Sequence, residues 1–152
     1  MQQIVPNLWF DGNAREAAEY YVSVFRGGKI TGGSTYPDSV DDGLAEFQLE
    51  LAGKDLTQDF EILGTKFTAI NAGPEFALSE AVSFVVPCKD QAEIDYYWEK
   101  LSAHPENEQC GWCKDKFGMS WQIVPANMEE LMGKPDAFKT MMKQHKIIIA
   151  EY

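Results

Sequence analysis

The chain has 152 residues, 45% of them apolar, with 24 acidic against 13 basic side chains and a formal net charge of −11. That length suits one folded domain with a proper core. The charge repels nucleic acid and anionic lipid, which both attract basic surfaces, and no apolar run reaches the length of a membrane span.

Met1-Gln2-Gln3 offers neither a basic n-region nor an apolar h-region, so the expected compartment is the cytoplasm. The three cysteines are an odd set and are expected there as reduced thiols.

In chain order, residues 4–10 read as a first strand, with Pro6 placing it at an edge or near the strand's start. Asp11-Gly12-Asn13 turns the chain. Asn13 followed by Glu16 has the pattern of a capping box, and Ala14, Ala17, Ala18, Tyr21 and Phe25 then form one helical stripe, ended by Gly27-Gly28. Three strands are predicted next, over residues 29–36, 44–51 and 67–71.

The pattern then restarts. Residues 81–86 read as a strand. Asp90 and Glu93 repeat the capping box, and Ile94, Tyr97, Trp98 and Leu101 form a second stripe, stopped at His104-Pro105. Residues 109–114 and 119–124 read as a hairpin. Short helices follow over residues 129–132 and 136–144, and the β-branched residues 147–149 read as a final strand. Glu16 and Glu93 lie 77 positions apart, and at that offset Ala17 meets Ile94, Tyr20 meets Tyr97, and Tyr21 meets Trp98. This is the signature of a duplicated unit. The expected fold is α+β, one domain over residues 1–152, with module one at about 3–75 and module two at about 80–152.

Two stretches carry a family likeness: Asn7-Leu8-Trp9-Phe10-Asp11-Gly12-Asn13-Ala14, and the block from Cys110-Gly111-Trp112-Cys113 through Gly118-Met119-Ser120-Trp121-Gln122 to Pro125. With the loop Asn71-Ala72-Gly73-Pro74, they resemble the PhnB-like family of the vicinal oxygen chelate superfamily, which includes glyoxalases and bleomycin-resistance proteins. Its members often carry the label 3-demethylubiquinone-9 3-methyltransferase-like. The resemblance implies a glyoxalase-like fold of two βαβββ modules around a cavity, and a homodimer. In metal-bearing members it also implies a divalent ion held by His, Gln or Glu, two from each module.

The positions that this resemblance assigns to the ligands are Pro6, a residue within 68–71, Ser83 and Gln122. Proline has no donor, and serine and amide groups are weak neutral ligands, so neither metal nor cofactor is expected. His104 and His145 are read as solvated surface residues. Cys110-Gly111-Trp112-Cys113 lies in a predicted strand, where residues three apart face opposite ways, and no helix follows to activate a thiol. Asp38, Asp41 and Asp42 read as a solvated turn.

Trp9, Trp112 and Trp121 are candidates to stack on a ligand, Trp112 foremost; if Gln122 faces a cavity, the alternating Trp121 faces the helices. The expected site is therefore Asn71, Ser83, Trp112 and Gln122, taking a small uncharged or aromatic molecule. Two other classes stay open: a metal-dependent glyoxalase- or dioxygenase-type enzyme, and a methyltransferase. Against the last, Gly27-Gly28 and Gly32-Gly33 follow a helix rather than a strand, and no G-x-G-x-x-G occurs.

Overall fold

A computed structural model describes every residue, Met1–Tyr152. The chain divides into two compact units, Met1–Ala77 and Leu78–Tyr152. Both are mixed α and β, as the sequence predicts.

Unit one runs β1 (Asn7–Phe10), α1 (Ala14–Val24), β2 (Lys29–Thr35), β3 (Asp55–Ile62) and β4 (Thr65–Asn71). The sheet order is β1-β4-β3-β2, with β1 parallel to β4 and the other neighbours antiparallel. Alternation sends Gln58, Phe60 and Ile62 of β3, and Phe67, Ala69 and Asn71 of β4, to the buried face. There α1 covers them with Ala14, Ala17, Ala18, Tyr21 and Val24. Tyr21 stacks on Phe60, and Phe60 on Phe67, at ring separations of 5.7 and 5.2 Å.

Two expectations for this unit change. Residues 44–51 form no strand; Glu46–Leu51 is a 3₁₀ turn with no buried side chain. The third strand is instead Asp55–Ile62, where charged residues at alternate positions obscure the apolar ones. The Asn13 capping box also does not form. The Asn13 side chain makes no cap bond, and the free N–H of Ala14 is taken by Asn71 Oδ1 at 2.9 Å.

Unit two runs β5 (Ser83–Cys88), α2 (Gln91–Leu101), β6 (Trp112–Lys114), β7 (Ser120–Pro125), α3 (Met128–Met132) and α4 (Ala137–Lys143). Its sheet order is β5-β7-β6, again with a parallel pair beside an antiparallel one. Both long helices have 11 residues, and their ends fall at the 77-residue offset. Here a cap forms, with the returning glutamate bond made one residue before the N-cap rather than at it. Asp90 Oδ1 accepts from Glu93 N at 2.9 Å, and Glu93 Oε2 reaches back to Lys89 N at 2.8 Å.

Unit two has three strands where four were expected. Gln109 pairs with Trp112 only as an isolated bridge, because Cys110 and Gly111 turn the chain tightly between them. Residues 147–149 likewise form no strand. Ile147 is fully buried, and Gln91 grips the backbone at both ends of the segment, donating to Ile147 O and accepting from Ile149 N. The tail thus packs on its own unit through a side-chain clamp rather than a β ladder.

Candidate functional site

Each sheet has one face under a helix and one without. In unit two, Phe84, Val86 and Cys88 of β5 and Trp121 and Ile123 of β7 share the α2 side, where all but Phe84 are buried. The opposite parity carries Ser83 and Val85, Ser120, Gln122 and Val124, and Trp112 and Lys114. The register sets Trp112 beside Gln122 and Val85 on Gln122's other flank. Gln122 Nε2 donates to Ser83 Oγ at 2.9 Å, both partly buried. Three of the four residues expected at the site therefore share one face. Trp121 is turned to the helix side, as alternation required, and is 2% exposed.

Asn71 lies elsewhere, on the buried face of the unit-one sheet. Its Oδ1 caps α1, its Nδ2 donates to Asp55 O at 3.1 Å, and its carbonyl accepts from Tyr36 Oη at 2.6 Å. It borders a cavity of about 560 Å³ at the start of α1, together with Asp11, Arg15, Lys54 and Asp55. Arg15 holds Asp55 through two bonds of 2.7 and 2.8 Å, which lower the Asp55 pKa and raise that of Arg15.

The uncovered face of unit one is more polar. Thr57, Asp59 and Glu61 of β3 lie across from Ile70, Thr68 and Lys66 of β4. Thr68 Oγ1 donates to Asp59 Oδ1 at 2.6 Å, and Lys29 Nζ stands 3.5 Å from Glu61. A cavity of about 500 Å³ is lined here by Val5, Lys29, Thr31, Asp59, Lys66 and Thr68. Sequence reasoning missed Asp59, because it looked for a carboxylate on β4 and not on the strand beside it. The alternation of Thr57, Asp59 and Glu61 against Phe60 and Ile62 was the available signal.

Trp9 lies on this face, tied by Nε1 to Gly73 O at 2.8 Å and edge-on to Phe76. His104 is beside Glu106, and His145 Nδ1 lies 2.8 Å from Glu108 O. No three His, Cys, Asp or Glu side chains gather as a metal site would need. The three thiols are free, and Cys88 and Cys113 are buried, which pushes both pKa values up to about 12.

The family model for 3-demethylubiquinone-9 3-methyltransferase matches residues 2–124. The chain belongs to this family. Among solved structures, it is similar to a Bacillus cereus protein described provisionally as a 3-demethylubiquinone-9 3-methyltransferase, PhnB protein. The two share 29% identity at a TM-score of 0.62, over 81% of this chain and 99% of that one. A Pseudomonas aeruginosa protein shares the fold at 22% identity and a TM-score of 0.61, over 82% and 98% of the two chains. An Arabidopsis thaliana gene product does so at 18% identity and 0.50, over 81% and 98%. None of the curated proteins matches.

The divalent ion known from the wider superfamily does not fit this member's donors. Pro6 offers only a carbonyl, which accepts from Thr68 N at 3.0 Å. Thr68 spends its hydroxyl on Asp59, and Ser83 accepts from Gln122. Neutral hydroxyl and amide oxygens hold transition metals poorly.

Proposed function

We propose that the chain is a small-molecule binding protein that takes an uncharged or aromatic ligand on the open face of its second unit, without a metal. The observation carrying this reading is the Gln122–Ser83 bond beside Trp112. That bond uses one of the amide's two N–H donors and fixes its plane, leaving Gln122 Oε1 to accept from a ligand hydroxyl or amine. The adjoining indole supplies an aromatic surface. We further propose that the protein acts as a cytoplasmic homodimer.

A soluble short-tailed ubiquinone analogue, with its phenolic demethyl precursor, is the probe that the family's description suggests. The expected calorimetric result is saturable binding, weakened about tenfold (about 1.4 kcal/mol) by Gln122→Ala or Trp112→Ala. Unchanged titration of both variants would move the site elsewhere.

The family's description supports a second reading, methyl transfer. Incubating the phenolic precursor with S-adenosylmethionine separates the two: a methylated product would make the protein an enzyme, whereas binding without turnover supports the first reading. The metal-dependent alternative is checked by titrating Zn²⁺, Ni²⁺ and Mn²⁺. The expected outcome is no binding tighter than roughly micromolar, about 8 kcal/mol. Tighter binding that Gln122→Ala removed would restore the metalloenzyme.

A further inference from the structure

One buried side-chain oxygen has no hydrogen-bond partner: the hydroxyl of Ser120, a residue only 1% exposed. A buried hydroxyl without a bond destabilises a fold, and alanine at the same position would carry no such penalty. Ser120 has the parity of Gln122 on β7, so it belongs to the face of the unit-two sheet that α2 leaves uncovered.

The register sets Ser120 at the centre of a row, with Ser83 of β5 on one side and Lys114 of β6 on the other. Neither neighbour satisfies it. Ser83 Oγ accepts from Gln122 Nε2 at 2.9 Å. Lys114 Nζ is drawn to Glu80 Oε1 at 2.9 Å, where Asn107 Nδ2 also donates at 3.1 Å. Because Ser83 accepts in its bond, it keeps its own O–H to donate. Two hydroxyl donors on adjacent strands, about 5 Å apart, therefore stand on the same face as Gln122 Oε1 and the Trp112 indole.

We infer that Ser120 is a specificity-determining contact of this face and that, with Ser83, it receives a carbonyl oxygen of the ligand. The inference rests on the binding function proposed above. A carbonyl oxygen has two lone pairs and can accept from two hydroxyls set one strand apart. Residues two apart on a strand are roughly 7 Å apart, so the carbonyl end lies about one ring's length from Gln122 Oε1. The ligand class is a single aromatic ring with a carbonyl at one end and a hydroxyl at the other. Its hydroxyl donates to Gln122, and its ring lies against Trp112. The carbonyl oxygen reaches Ser120 by displacing Lys114 from the row. Glu80, which holds Lys114, is half open to water, and an ion pair so exposed is weak.

The test is calorimetric titration with 4-hydroxyacetophenone and with 4-ethylphenol, which has a methylene in place of the carbonyl. The parent should bind the ketone about tenfold more tightly than the ethylphenol. Ser120→Ala should erase that preference by weakening the ketone alone. Without ligand it should melt at or above the parent, because it removes an unpaired hydroxyl. Equal binding of the two compounds by the parent, or a preference kept in Ser120→Ala, would overturn the role of Ser120 while leaving the binding face in place. Melting of Ser120→Ala clearly below the parent would overturn it too, by showing that the fold or an ordered water already satisfies the hydroxyl. Binding of neither compound would sink the ligand class; the binding face itself is decided separately, by the ubiquinone-analogue titration of Gln122→Ala and Trp112→Ala.

Discussion

Asp115 has no exposed surface, yet it belongs to the stretch that carries the family likeness. One oxygen accepts from Phe117 N and Met119 N at 2.9 and 3.0 Å, and the other accepts from Trp121 Nε1 at 2.8 Å. The carboxylate therefore fixes the β6–β7 turn and the tryptophan beneath it, and so the register that puts Gln122 beside Trp112. Hydrogen bonds to a charged group are worth about 1.5–3 kcal/mol each, and a buried donor left unpaired costs about as much again. Asp115→Ala should lose roughly 3–5 kcal/mol in urea unfolding. Asp115→Asn should lose less, because its oxygen can keep the two backbone donors while its NH₂ opposes the indole N–H. An Asn variant as stable as the parent would show that the indole bond contributes nothing.

The two long helices begin with the same sequence pattern and are capped by different means. Asp90 caps α2 locally, so Asp90→Ala should cost about 1 kcal/mol. Asn13→Ala should cost only a few tenths, since its side chain makes no cap bond. Asn71→Ala should cost more than either, because it strips a buried N–H of Ala14 and a carbonyl of Asp55 of their partner. Thermal unfolding of the three variants gives the order directly. This difference marks what could be read from sequence. Spacing within a helix was legible: both stripes and their 77-residue offset hold. A bond between residues 57 apart in the chain was not. Strands followed the same division. β7 alternates from Trp121 to Pro125 and was found, whereas Asp55–Ile62 has Gln58 among its buried positions and was not. Residues 44–51 alternate as well, but Phe47 and Leu49 are exposed, so the pattern there corresponds to no buried face. Period-two alternation was enough to group Ser83, Trp112 and Gln122 on one face of their sheet. Asn71 belongs to the other unit, where its parity on β4 points it to α1.

For the whole chain, the question is which apolar surface remains after the tail is accounted for. Ile147 is buried within its own unit, so it cannot supply an interface. Phe138 remains 65% exposed and Met142 47%. Ile4 at 95% and Phe47 at 88% add apolar surface in the first unit. Single exposed apolar residues are ordinary, but the homodimer proposed above would bury side chains of this kind, Phe138 first among them. Each copy carries a charge of −11, which opposes association at long range. Salt shortens that repulsion to about 8 Å at physiological strength while leaving apolar burial intact. Dimerisation should therefore strengthen as salt rises, opposite to an interface held by ion pairs. Light scattering at micromolar concentration is expected to give twice the 17.1 kDa chain mass. Phe138→Glu should shift the mass toward one chain, most strongly at low salt. A single-chain mass across the whole salt series would show that these residues meet no second copy.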